Sequence, residues 1–129
     1  MPQEIFCAPG VLWLEMVRDV SDDLNYRNSL ERAWMDWAEV DAVPFLFYLQ
    51  YLNYGSLGAR QRQQTALQRL VDTEPVFHPE TVLNIIGHCW EIEGLPQLAE
   101  IAYRRSLNIL SRNNAANWHL RHLARSMQN

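Results

Sequence analysis

Lysine is missing from this 129-residue chain, and all 11 of its basic side chains are arginines. Lineage bias explains that plainly; escape from lysine-directed modification is the sharper alternative. With 15 acidic groups the formal net charge is −4. That sign gives no general positive field for nucleic acid, which is therefore not expected as a partner. Cysteine is scarce as well. Cys7 and Cys89 stand far apart, and two free thiols in a reducing compartment are expected rather than a bridge. No stretch approaches the roughly 18 apolar residues of a membrane helix. The opening Met1-Pro2-Gln3-Glu4 carries no basic-then-apolar leader. A soluble cytoplasmic protein without membrane insertion is the expectation. Strand-like alternation is poor and short Val/Thr-rich segments are few, which argues against an all-β fold. Phosphate-binding glycine loops, dinucleotide fingerprints, HExxH and GxSxG are all absent, so no residues announce catalysis. A non-enzymatic protein without a cofactor is expected.

What is present suffices for one ordinary domain. Hydrophobic residues make up 48% and charged residues 20%, a mixture that buries a core without disulfides or metal. Apolar residues recur at spacings of three and four, the period of helices. Residues 11–20, VLWLEMVRDV, form a short apolar helix candidate. Ser21-Asp22-Asp23 then supplies capping side chains for a helix over about 23–39, with Leu30, Ala33, Trp34 and Trp37 on one stripe. Further helices are predicted at about 44–55, 60–72, 80–93, 96–110 and 114–127. Pro44, Pro79 and Pro96 fit first turns, where a missing amide hydrogen loses nothing. Gly58 and Gly94 fall between helices, where a left-handed residue closes the preceding one. Asn113 is the expected cap of the last helix. The short connections place neighbouring helices antiparallel.

Charge is segregated along the chain. Residues 1–41 hold nine acidic groups and three arginines, net −6; residues 42–129 hold six acidic groups and eight arginines, net +2. The two parts can attract one another, or chains can dock head to tail, although solvated helix faces also differ in this way.

Residues 80–113 carry the most ordered pattern: Leu83, Ile86, Gly87, Trp90, Gly94, Ala99, Tyr103, Ser106 and Leu107. Gly87 and Ala99 remove bulk where two antiparallel helices meet, and Trp90 and Tyr103 fill the volume beside that contact. With Glu80 counted first, these residues fall at the large, Leu-Gly, aromatic, alanine, aromatic and small positions of a tetratricopeptide (TPR) unit, which the segment resembles. A looser copy begins at Pro44, with Phe47, Tyr54, Gly58, Leu67, Leu70 and Pro75 in register. It departs from the family where Tyr51 stands in the glycine place and Gln63 in the alanine place, so its helices are expected to sit farther apart or tilt. The two units are spaced two residues wider than the family period, which places the extra length in the Glu74–Pro79 connection. The helix at 114–127 resembles the solvating cap of such arrays, while 11–41 fits no register and is expected to be a divergent helical end. The resemblance implies an all-α, TPR-like stack of two hairpins with atypical ends, forming a single domain.

The resemblance also implies a concave groove lined by the first helix of each unit. In the clear unit its positions are Thr81, Asn84, His88 and Glu91. The last helix adds Ala115, Trp118, His122 and Arg125, and the looser unit adds Phe45, Tyr48, Leu52 and Gly55. Tyr48 and Trp118 would serve as aromatic anchors, Asn84 as donor and acceptor, and Arg125 as a carboxylate clasp. Without lysine, and with His88 where an asparagine is expected, a carboxylate-clamp co-chaperone is not expected. His119 and His122, three apart on one helix, with His88 or Cys89 from a neighbour, are the only metal candidates, and Cys89 reads better as a small buried hydrophobe. Arginines 60, 62, 69, 104 and 105 fall on second helices, as on a solvated outer face.

The expected role is therefore binding of another protein or a peptide segment, as adaptor, assembly factor or dedicated chaperone. The candidate contacts are Tyr48, Asn84, His88, Glu91, Trp118, His122 and Arg125. A structural subunit of a larger complex or homo-oligomer, with Trp34, Trp37, Phe45 and Phe47 against a permanent partner, is the main alternative. A helical nucleic-acid-associated regulator using the arginines of 60–69 and 104–112 is a weaker one.

Overall fold

Proline and glycine set the helix boundaries. In the computed structural model, which describes residues 40–128, five helices follow one another: α1 (Ala42–Ser56), α2 (Arg60–Asp72), α3 (Pro79–Ile92), α4 (Pro96–Ile109) and α5 (Ala116–Gln128). No strand occurs among the described residues. The helices expected over 11–20 and 23–39, with Cys7, Trp34 and Trp37, lie outside the described residues. Pro79 and Pro96 are the first residues of α3 and α4. Gly58 and Gly94 take φ of +71° and +76°. There the amides of Ala59 and Leu95 reach back to the carbonyls of Tyr54 and Trp90, each at 2.9 Å, closing α1 and α3 by the glycine route.

Three-residue connections turn α1 into α2 and α3 into α4, so the chain forms two helical hairpins. The α3–α4 pair makes the most extensive contact, followed by α1–α2 and then α4–α5. One core cluster gathers Tyr48, Tyr51, Leu67, Leu70, Ile85 and Cys89 with their neighbours; a second gathers Ala99, Tyr103, Ala116 and Leu123. Trp90 packs against both clusters. It is only half-buried, so it bridges two cores where the sequence pattern predicts a ring sealed inside one.

The clear hairpin is built as its small residues predict. A Cβ placed on Gly87 would lie 2.5 Å from Cε1 of Tyr103, so the ring occupies the space that glycine vacates. Ala99 and Tyr103 are fully buried. The looser hairpin differs in an instructive way. Tyr51, in the glycine place, is buried and reaches across to α3. The close approach moves to Gly55, where a Cβ would lie 2.4 Å from Nε2 of Gln63.

The joints are polar. The carboxylate of Asp41 accepts from the backbone amides of Phe77 (3.1 Å) and His78 (3.3 Å), pinning the start of α1 to the α2–α3 connection. Asn114, not Asn113, caps α5: its Oδ1 accepts from the amide of Ala116 at 2.9 Å. Its Nδ2 donates to Oγ of Ser106 and to the carbonyl of Leu110, both at 2.9 Å. Asn113 instead takes φ of +55°, a left-handed conformation asparagine tolerates better than most residues.

Candidate functional site

The expected groove divides into an interior layer and an exposed ridge. Thr81, Asn84 and Ala115 are buried, as is Tyr48. Asn84 Nδ2 donates to Asn114 Oδ1 at 2.9 Å, so this amide ties α3 to the start of α5 instead of facing a ligand. Tyr48 Oη lies 3.0 Å from His88 Nδ1. Burial raises the phenol's pKa and lowers that of the half-buried imidazole. The pair is thus a protonated phenol hydrogen-bonded to a neutral histidine. Glu91 accepts from the hydroxyl of Tyr103, and burial followed by that carboxylate raises the phenol's pKa. Phe45 and Leu52 are half-buried against the core. What reaches solvent is on α5. Trp118 is 38% exposed and stacks on His122, with ring centroids 4.9 Å apart, and Arg125 is exposed one turn further on.

His119 points the other way. Its ring is 2% exposed and stacks on Tyr103 at 4.7 Å, nearly parallel, with the edge of Trp118 at 5.4 Å. Desolvation, then the neighbouring charges of His88 and His122, lowers its pKa to about 3. His119 is a neutral core ring at ordinary pH, and its Nε2 has no hydrogen-bond partner. The thiol of Cys89 is buried, and burial together with the charge of Glu93 raises its pKa, which keeps it protonated. His119 is thus stacked on Tyr103 and His122 on Trp118, so the two metal candidates do not form a shared pair. Among the described residues no group of three or more histidines, cysteines and carboxylates could hold a metal ion.

Two features escape the sequence pattern. The first is the carboxylate of Glu93, just past α3. It accepts from Tyr51 Oη (2.6 Å), from both terminal nitrogens of Arg60 (2.8 and 2.6 Å) and from Gln64 Nε2 (3.0 Å). These charge-assisted bonds lower its pKa to about 2, with Arg60 the largest cause. Arg60, assigned from sequence to a solvated face, in fact fastens α2 to α3. The second is an apolar cleft of about 480 Å³ between α2, α3 and α4. Val82, Leu83, Ile86 and Trp90 contribute from α3, and Leu98, Ile101 and Ile109 from α4. Leu98, Ile101 and Ile109 are 40%, 55% and 51% exposed. Their spacing along α4 was visible in the sequence, beside Arg105 on the same stripe, but a helix face assumed to be solvated hides such a row.

The cleft lies on α3's Leu83–Ile86–Trp90 side, away from the Asn84–His88–Glu91 side that the repeat resemblance singles out. The remaining arginines divide. Arg104 pairs with Glu100 at 2.8 Å, whereas Arg62 and Arg69 line a small polar notch with Gln50, Tyr54 and Thr65. No described helix is long and apolar enough to cross a membrane.

Compared with known proteins, the chain matches no family model, and no curated protein or solved structure is significantly similar to it.

Proposed function

We propose that this chain is a non-enzymatic adaptor, assembly factor or dedicated chaperone, a short TPR-like helical stack that holds a helical segment of another protein in the cytoplasm. The Gly87–Tyr103 approach and the Gly94-Leu95-Pro96 turn support the TPR-like element of this reading. The observation that carries the binding role is the apolar cleft between α2, α3 and α4, whose walls leave Leu98, Ile101 and Ile109 half in water. A lone exposed leucine is ordinary; a contiguous row of apolar side chains around a concave floor is how helix-in-groove recognition is built. Val71 and Pro75 extend the row, and Glu74 and Arg105 supply one charge of each sign.

Ile101→Glu tests the reading. The residue is more than half exposed, so helix content and thermal stability should be unchanged, while partners recovered by co-purification at native expression should be lost. Recovery of the same partners at wild-type yield would remove the cleft from the binding role.

The ridge of Trp118, His122 and Arg125, with half-buried His88 and Glu91, gives a second reading close to the expected groove. A flat aromatic pair beside an exposed guanidinium suits a peptide bearing a carboxylate. Trp118→Ala, with the fold intact, should then weaken capture where Ile101→Glu does not.

A further inference from the structure

The arginines of the second helices are not all neutralised. Arg60 pairs with Glu93 and Arg104 with Glu100. Arg62 and Arg69 are exposed, and among the described residues neither has a carboxylate within ion-pair distance. Both line a polar notch of about 190 Å³ between α1 and α2, with Gln50, Tyr54, Thr65 and Ala66. We infer that this notch binds a single phosphoryl group, as the free phosphate ion or as a phosphate monoester. It shares no lining residue with the apolar cleft, so the inference stands apart from the partner-binding role proposed above.

Position is the first support. Arg62, Thr65 and Arg69 follow one another at three and four along α2, so they share one stripe. The two arginine backbones lie about 10 Å apart along the axis, a gap that two long side chains close from either end. Gln50 and Tyr54, four apart on α1, supply the opposite wall. Buried Ala66, with its short side chain, leaves the space between them.

Charge is the second. α1 carries no charged side chain at all. Asp72, the only acid of α2, is held by Gln68, whose Nε2 lies 3.0 Å from both carboxylate oxygens. No residue lining the notch is acidic. Arg62 also stands in the first turn of α2, which holds no acid and where the positive end of the helix dipole disfavours a cation. Glu93 compensates Arg60 in that turn, whereas Arg62 is compensated only when an anion enters the notch. Residues placed against the local preference without internal compensation mark functional positions.

The donors select the class of anion. The volume is below the roughly 300–1,000 Å³ of a pocket for a drug-sized molecule, so one group is held and not a whole cofactor. Each guanidinium offers a fork of N–H donors, joined by the Gln50 amide and the Tyr54 hydroxyl. A carboxylate has two oxygens, which one fork fills. A phosphate monoester has three free oxygens and up to about two negative charges, enough for both forks. Nucleic-acid diesters carry one charge each and meet a chain of net charge −4.

Inorganic phosphate, titrated into the full chain in about 0.15 M NaCl and followed by the arginine Nε–Hε resonances, tests the inference. Arg62 and Arg69 should shift saturably at millimolar phosphate, and the other arginines should not. Arg62→Gln and, separately, Arg69→Gln should each weaken binding at least about tenfold, the loss of one charge-assisted fork. Arg104→Gln should leave binding unchanged. Arg62 and Arg69 are exposed, so helix content should stay that of the wild type. Gln50→Glu, which sets a carboxylate in the notch, should abolish binding by a second route. Tighter binding of N-acetyl-O-phosphoserine amide than of phosphate would support the site and trace its ligand to a modified side chain; weaker binding would support it as a site for the free ion. Linear shifts without saturation, equal shifts at every arginine, or acetate matching phosphate would overturn the inference. So would a single-stranded oligonucleotide that binds the same two arginines more tightly than phosphate does, which would assign the notch to nucleic acid.

Discussion

The two hairpins reach the same architecture by different means. In α3–α4 the helices close over a glycine: Gly87 yields its side-chain volume to Tyr103, and the ring is stacked in turn on His119. In α1–α2 Tyr51 is buried in the apolar core shared with α3, and the Glu93 carboxylate, gripping Tyr51, Arg60 and Gln64 at once, adds a polar staple to that contact. Both hairpins pack apolar side chains, and the second adds a charged staple at its edge. Two helical hairpins in one chain can thus be closed at different places, one at Gly87 against Tyr103 and the other at Gly55 against Gln63.

That contrast can be broken. Tyr103→Ala should destabilise the protein by about 3–5 kcal/mol, the usual cost of emptying a fully buried aromatic site, read as a shift in the urea midpoint. Acid should separate the two regions. His119 has a folded pKa of about 3 against an ordinary 6.5. Its neutral burial therefore stabilises the fold fully above about pH 6.5, and that contribution drains away toward pH 3. By pH 4 the loss should approach about 3 kcal/mol. Glu93, with a folded pKa of about 2 against 4.5, contributes above about pH 4.5 and fails only below it. Exchange followed against pH should thus loosen α4–α5 first and the α1–α2 staple later; simultaneous loss would contradict the division.

Gly87→Ala should cost about 1–3 kcal/mol by overpacking against a ring with no room to move, while an alanine at open Gly58 suffers only its backbone conformation. Glu93→Gln should cost about 1–2 kcal/mol, since charge-assisted bonds become neutral ones without leaving Tyr51 stranded. Its effect should fade below pH 4.5, and urea titration at two pH values checks this.

Much of the backbone was legible. Pro79, Pro96, Gly58 and Gly94 mark helix ends because their covalent structure permits little else, and the predicted spans for α2 and α4 fall within a residue of those found. Gly87 and Ala99 could be read as a close approach with Tyr103 beside it, because a helical hairpin leaves few ways to use a glycine in mid-helix; the structure puts the Tyr103 ring itself against Gly87. The site was less legible. Tyr48 and Asn84 were assigned to a groove by position, yet both are buried, because position on a helix gives direction and not what stands opposite. Glu93 carries no signal in the sequence; its partners come from 29 to 42 residues away, a distance no local pattern spans. The cap moved from Asn113 to Asn114 for a similar reason: the choice is made by Ser106 and Asn84 on other helices.

Asn114 has a consequence for where the chain tolerates lengthening. Its single amide joins the end of α4, the middle of α3 and the start of α5, so an epitope spliced into residues 111–113 would pull one knot out of three helices. At Gly58 no atom stands within 4 Å of where a side chain would go, so a label carried on a side chain there meets open space, although Gly58's own positive φ must be kept to close α1.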